Sequence, residues 1–397
     1  MRDAVIVDAV RTAGGRRNGV LSGWHPADLS AETLKALIAR TGLDPALVDD
    51  VVMGCVTQIG DQGGNIGRYA VLGAGFPESV PATTIDRQCG SSQQSVHFAA
   101  QGVISGAYDV AIAAGTELMS TTKMGGALLP DTFPIGPAAS ARYADQENYG
   151  VKGLPHQGVG AEMLAARHNL SRRDLDEFAA RSHELAEAAT TRGDFENEIV
   201  PVAEHRLGEE RASTATVTRD EGIRPGTTTE VLAGLKPAFI EDGLITAGNS
   251  SQITDGASAM LIMTSQRAKE LGLRPRARLH AFAVVGSDPV VMLDAPAPAT
   301  RKVLDRAGLS VEEIDQFECN EAFASVTMAW QRETGARLER VNPYGGAIAL
   351  GHPLGASGTR LMTTLLNGLE RTGGRFGLQT MCEGGGMANA TIIERLD

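Results

Sequence analysis

The chain repeats itself at long range, and that repeat restricts it to folds with two matching halves. Thr41-Gly42-Leu43-Asp44-Pro45-Ala46-Leu47-Val48-Asp49 resembles Ala307-Gly308-Leu309-Ser310-Val311-Glu312-Glu313-Ile314-Asp315 at an offset of 266 residues (308 − 42). Each copy precedes an apolar run that reads as a strand. The same offset carries Ser91 to Ser357, and one residue more carries Gly115 to Cys382 (382 − 115), each expected at the end of a strand. Two central helices are therefore expected, one opening at Gly90-Ser91-Ser92 and the other at Gly355-Ala356-Ser357-Gly358. The first carries no Lys, Arg, Asp or Glu from Gly90 to Ala107 and should be buried.

Around the repeat the pattern is that of an α/β protein. Apolar runs at 4–7 and 51–56 flank a helical pattern over 31–41, and 109–115 reads as a buried strand. An insertion separates the halves, roughly Ser120 to Asn249. Gly125 to Pro137 is expected as loop, as is Gly222 to Gly226. Between them Ser171-Arg172-Arg173-Asp174 reads as a capping box opening a charged amphipathic helix to about Ala189. The insertion is expected to be mostly surface, lying over the core where substrate-binding elements usually sit.

Composition narrows the function. At 397 residues the chain has room for two or three domains. With 36 basic and 48 acidic residues it carries −12, which argues against a broad nucleic-acid or anionic-membrane surface. An anionic ligand must then be met by local arginines or helix N-termini. Cys55, Cys89, Cys319 and Cys382 are far apart, so no zinc site, other metal site or disulfide framework is expected. The N-terminal run contains acids and reads as a strand, not a signal peptide, and no stretch has the 18 or so apolar residues of a membrane helix. A soluble cytoplasmic protein is expected.

Four stretches carry candidate chemistry. In Ile85-Asp86-Arg87-Gln88-Cys89-Gly90-Ser91-Ser92, Cys89 stands just ahead of a helix, where unpaired amides and the positive end of the macrodipole favour a thiolate. On this stretch alone an inert core cysteine is the better reading, since a reactive one needs a base. Gly351-His352-Pro353-Leu354-Gly355 offers that base: an imidazole titrating near neutrality, held in a rigid glycine-rich turn, unless it is a loop histidine satisfied by backbone. Asn320, in Phe317-Glu318-Cys319-Asn320-Glu321-Ala322-Phe323, is either a strand-end cap or an amide placed to hold a water or an oxyanion. Met381-Cys382-Glu383-Gly384-Gly385-Gly386 adds a second thiol beside three glycines, or else a core cysteine next to a glycine turn. Gly243 to Asp255 is a small-residue loop suited to an extended ligand, without the pattern of a P-loop.

Together these stretches resemble the thiolases over nearly the whole length, from Val7-Asp8-Ala9-Val10-Arg11-Thr12 through Asn320-Glu321-Ala322-Phe323 and Gly351-His352-Pro353 to Cys382-Glu383-Gly384-Gly385-Gly386. The resemblance implies a five-layered αβαβα thiolase fold of two similar halves with an inserted loop domain. It places an N-terminal half at 1–119, completed by about 250–270, the loop domain at 120–249 and a C-terminal half at 271–397. It implies Cys89 as acyl-accepting nucleophile, His352 as its base, Cys382 as acid/base at the acetyl carbon, and Asn320 as holder of an oxyanion-hole water. The amides of Cys89 and Gly384 would form a second oxyanion hole, and His156, Arg224 and Ser251 would contact coenzyme A.

The implied activity is thiolysis of 3-ketoacyl-CoA, with coenzyme A as co-substrate and no permanently bound cofactor. The alternatives are an acetyl-CoA acetyltransferase, a decarboxylating ketoacyl synthase of the same fold, which would not need Cys382, and a non-catalytic CoA- or lipid-binding relative. A homodimer or homotetramer is implied, with Gly125 to Pro137 as a tetramer contact. Three departures from the family pattern, Ser92, Gln252 and Met292-Leu293-Asp294-Ala295-Pro296, are expected to reshape the pocket, as in degradative enzymes of actinobacterial type acting on bulky acyl chains.

Overall fold

The structure, a computed structural model, describes residues 2–127 and 134–396; positions 128–133 of the expected Gly125 to Pro137 loop lie outside it. The main strands are β1 (Val5–Arg11), β2 (Asp50–Gly54), β3 (Ala82–Ile85), β4 (Val110–Leu118), β5 (Thr254–Met263), β6 (Ala277–Gly286), β7 (Gln316–Cys319), β8 (Phe376–Glu383) and β9 (Met387–Arg395). With the two-residue strand Gly15–Arg16, which pairs with β5, they form one ten-stranded mixed sheet in the order β7-β8-β9-β6-β1-β5-β4-β2-β3. Up to β2 that order is the same read from either end of the duplication. β1 matches β6, β5 matches β9, β4 matches β8 and β2 matches β7. The halves meet edge to edge where β1 runs antiparallel to β6, through Val5↔Arg278 and Ile6↔Ala277. Among the main strands of the described residues, β3 lacks a matching strand; a single parallel bridge from Phe317 to Val341 stands in its place.

Local signals repeat along with the strands. The helices Pro26–Thr41 and Pro296–Ala307 both start on proline and stop at a left-handed glycine, Gly42 and Gly308. The 3-10 turns that follow begin at Pro45 and Val311, the next strands at Asp50 and Gln316, and the central helices Ser91–Ser105 and Ser357–Thr372 at Ser91 and Ser357, each 266 residues apart (311 − 45, 316 − 50, 357 − 91).

The layers follow from side-chain alternation. On β4, Ile112 and Ala114 face Leu34, Leu37 and Val71 on one outer side. Ala111 and Ala113 face inward to Val96, Ala99 and Val103 of one central helix and Met362, Leu365 and Leu366 of the other. Phe317, Leu378 and Ile392 of the second half pack outward on Val303 and Trp330. Helix, sheet, paired helices, sheet and helix follow in that order.

The two central helices meet closely at their N-termini. A β-carbon at Gly358 would lie 2.0 Å from Gln93 N, and one at Gly115 would lie 2.2 Å from Gly355 O. Where the second half needs Gly358, the first has Ser92 (358 − 92 = 266). The Ser92 hydroxyl accepts from Thr359 N at 3.0 Å, so it caps the opposite helix and lines no pocket, contrary to the sequence expectation. Ser92→Ala is expected to cost about 1 kcal/mol, the usual worth of a lost cap. An unchanged urea midpoint would remove this role.

Elsewhere the sequence reading needs adjusting. β1 runs four residues past the expected Val7, to Arg11 (11 − 7), because Arg11 is buried as an ion-paired core residue. Its guanidinium meets Glu198 at 2.6 Å and Asp220 at 2.7 Å. Both carboxylates come from the inserted stretch, which is therefore built into the core more deeply than a mostly surface element. Gly115 lies within β4, not at its end, because β4 stays paired with β5 as far as Leu118↔Asp255. The helix Arg172–Arg192 has the expected capping box at Ser171 and Asp174. It buries Phe178 and Ala179 with Phe323 and Ile348, and Ala186 with Ala349 and Leu350, so it lies over the loops that carry Asn320 and His352. Among the described residues no helix is long and apolar enough to cross a membrane.

Candidate active site

Cys89 stands on a forced turn. Gln88 before it takes φ +47°, a left-handed conformation unusual for glutamine. The turn is held locally: Gln88 N donates to Asp86 Oδ1 at 2.6 Å, Ser91 Oγ donates to Gln88 O at 2.6 Å, and Arg87 N donates to Ser91 Oγ at 2.9 Å. The thiol packs with Met119, Leu354 and Met381. It is 8% exposed, against 0% for Cys55 and 1% for Cys319 and Cys382.

Burial first, and the charge of Glu383 next, push the Cys89 thiol up to about 12, its own amide offsetting only part of the rise. That overturns the expectation of a lowered value. In the resting site, removal from water costs the thiolate more than the helix end returns.

His352 is fixed from both sides. Its amide donates to Thr254 Oγ1 at 3.1 Å, and its Nδ1 lies 2.5 Å from Ser357 Oγ. Ser357 spends its own proton on Pro353 O at 2.8 Å, so its oxygen accepts from Nδ1–H. That tautomer leaves the Nε2 lone pair facing Asn320 Nδ2 at 3.3 Å. Burial, with help from Arg360, holds the imidazole neutral, pushed down to about 3.

Asn320 follows β7, its amide donating to Thr380 O at 3.1 Å. Its Oδ1 is buried without a hydrogen-bond partner among the described residues, polar capacity of the kind that a water or a ligand group can satisfy. The loop is braced by residues that the sequence reading passed over. Glu321 accepts from Ser182 Oγ at 2.6 Å, Asn342 Nδ2 at 2.9 Å and Ile348 N at 3.2 Å, tying the Asn320 loop to the segment before His352. Asn342 exchanges two hydrogen bonds of 2.9 Å with the Cys319 backbone. The signal was present in Glu321, a charged residue next to Asn320 inside an apolar stretch.

Cys382 lies one residue from the end of β8, ahead of a turn in which Gly385 and Gly386 take φ +84° and +77°. It packs with Phe323, Ile348 and Leu293. Burial raises its thiol far above the ordinary range, and charge on Cys89 is the next cause, so the two sulfurs are electrostatic neighbours. Gly384 lies against Gln88: a β-carbon there would be 2.9 Å from Gln88 Oε1, which brings this turn to the one carrying Cys89.

The expected coenzyme A residues lie further out. His156 is exposed, caps the helix Gln157–Arg167 and packs on Phe239 at 5.4 Å; Phe239 in turn meets Phe323 edge-on at 5.7 Å. Ser251 N donates to Ala322 O at 2.9 Å, beside the Asn320 loop. Arg224 is exposed and tethered by its backbone to His183 Nδ1 at 3.2 Å. Gln252, expected to put a flexible amide in the ligand path, is instead pinned: its Nε2 donates to Gly222 O at 2.8 Å and Ile348 O at 2.7 Å. Asp294 is likewise occupied, by Ser287 Oγ at 2.8 Å and Arg167 at 3.1 Å.

Comparison with known proteins gives the family and the fold. The family model described as the thiolase N-terminal domain matches residues 4–266, and the thiolase C-terminal domain model matches 273–395. A protein named steroid 3-ketoacyl-CoA thiolase FadA6, from Mycobacterium tuberculosis, is 50% identical over 100% of this chain and 95% of its own length. A 3-ketoacyl-CoA thiolase of Serratia proteamaculans is 46% identical over 100% of both chains. The crystal structure of the Bacillus anthracis acetyl-CoA acetyltransferase superposes with a TM-score of 0.89 at 36% identity, covering 100% of this chain and 99% of that one.

Proposed function

Because the chain belongs to the thiolase family, we propose that it cleaves 3-ketoacyl-CoA with free coenzyme A, giving acetyl-CoA and a shortened acyl-CoA through an acyl group on Cys89. The observation that carries this is that the two buried thiols are electrostatic neighbours, with Cys89 packed on Leu354 of the His352 turn and Cys382 packed on Phe323 and Ile348 of the segments next to Asn320 and His352. One thiol cannot be acylated and donate a proton at the same time, so breaking the C2–C3 bond by acyl transfer calls for both.

Cys89 sulfur attacks the 3-keto carbon while its proton passes to His352 Nε2, and the C2–C3 bond then breaks. The departing enolate of acetyl-CoA takes the proton of Cys382. Coenzyme A next gives its thiol proton to the Cys382 thiolate and attacks the acyl-Cys89. Cys89 leaves and recovers its proton from His352. A water held by Asn320, and the amides of Cys89 and Gly384, face the two oxyanions; each such donor is worth about 3 kcal/mol in acyl-transfer sites.

His156, Arg224 and Ser251 are assigned to coenzyme A. Arg224→Ala is expected to raise KM for coenzyme A more than it lowers kcat, as loss of a uniform contact does. An unchanged KM would remove Arg224 from the site. The division at 1–119, completed by about 250–270, 120–249 and 271–397 is kept, with the middle segment carrying ligand and subunit contacts. The protein is placed in the cytoplasm as a homodimer or dimer of dimers. The exposed Tyr69, Leu72 and Phe98 support subunit contact, and a monomeric mass in sedimentation would contradict it.

The substrate is assigned to medium or bulky acyl chains. The support is the similarity to a protein named a steroid 3-ketoacyl-CoA thiolase, since Ser92 and Gln252 prove to be structural. Thiolysis followed as acetyl-CoA over acyl groups of rising size tests this. A kcat/KM rising stepwise is expected, because a methylene in an apolar pocket is worth only about 1 to 3 kcal/mol. A series falling with length would favour acetoacetyl-CoA, and no acetyl-CoA from any substrate would overturn the activity.

A further inference from the structure

Glu383 follows Cys382 and is fully buried, yet among the described residues neither of its carboxyl oxygens has a hydrogen-bond partner. On β8 it shares a face with Met381, and Met381 packs against Cys89. A β-carbon at Gly90 would lie 2.1 Å from Glu383 Oε1, so the carboxyl rests directly on the residue that caps the Ser91–Ser105 helix. Asn389 holds this contact in place by donating to Gly90 O at 3.0 Å. Two acidic groups, the Cys89 thiol and the Glu383 carboxyl, thus face the positive end of one helix.

We propose that Glu383 is a positioning residue whose own proton controls how readily Cys89 ionises: protonated, it leaves the helix end to the thiolate, and ionised, it opposes it. The inference rests on Cys89 being the nucleophile, but it concerns the thiol itself and is read without turnover.

The other charged groups acting here are few. Asp86 and Arg87 lie on the Cys89 turn, and Glu117 reaches Cys89 from β4. Glu117 is fully engaged, accepting from Val56, Thr57, Gln62 and Gly355. Arg87 favours the ionised Glu383 but forms no ion pair with it among the described residues. Burial dominates and holds the carboxyl up at about 8, within reach of ordinary assay conditions.

The test is the rate of Cys89 alkylation by iodoacetamide against pH, with the site read by peptide mapping. In the unmodified protein the rate should climb tenfold per pH unit at first and then less steeply as Glu383 ionises. Glu383→Gln and Glu383→Met both remove the charge. Each should raise the rate at pH 9 by about three- to tenfold, the effect of losing a like charge nearby, and the gain should shrink toward pH 6. If one variant fails to fold, the other and the slope of the unmodified protein still decide. An unbroken slope in the unmodified protein, superimposable profiles, or a gain of equal size at every pH, as a loosened site would give, would each overturn the proposal.

Discussion

Cys89→Ser is expected to leave at most about one part in ten thousand of the thiolysis rate, the scale of loss when an acyl-transfer nucleophile is removed. The structure gives two reasons. Neutral His352, pushed down to about 3, is a weak base in the resting site, so the proton must move as the new bond forms. A hydroxyl holds its proton far more tightly than a thiol and gives that base too little to work with. The turn around Gln88 should survive, since Ser91 and Asp86 hold it without help from the sulfur. A Cys89→Ser protein that keeps a tenth of the activity would remove Cys89 from the reaction.

Cys382→Ala should fail differently. Loss of the proton donor to the enolate is expected to cut thiolysis by about 10²- to 10⁴-fold, the usual worth of a positioned general acid. Acetyl transfer from acetyl-CoA to Cys89 breaks no C–C bond, and the coenzyme A thiolate it releases is a weak enough base to take its proton from water in place of Cys382, so it should persist. The variant therefore accumulates acetyl-Cys89 while making almost no product. Near-normal thiolysis would refute the assignment of Cys382, and loss of acetylation would show that water cannot replace Cys382 in exchanging the coenzyme A thiol proton.

The fold and the reacting groups were legible because both are written locally. Proline starts and glycine stops mark matching helices in the two halves, and Cys89, Asn320, His352 and Cys382 each stand next to a recognisable turn. What stayed hidden depends on contacts between distant segments. Nothing near Ser92 says that its hydroxyl caps a helix at Thr359, 267 residues away (359 − 92). Arg11 falls outside the apolar run that ends at Val7, and its place in the strand is hidden because its carboxylates, Glu198 and Asp220, lie far along the chain. Gln252 reads as a pocket residue until the segments of Gly222 and Ile348 are brought around it. The thiol of Cys89 was misjudged because sequence reveals a helix start but not the degree of burial that outweighs it.

The central claim is that the acyl group passes through Cys89 as acetyl-CoA departs, and mixing the unmodified protein with a 3-ketoacyl-CoA in the absence of free coenzyme A tests it directly. Acid quenching and peptide mass mapping should find one shortened acyl group per chain on the Cys89 peptide, with acetyl-CoA released in equal amount. Acetyl-CoA formed while Cys89 stays unmodified, or an acyl group found on Cys382 instead, would contradict the account.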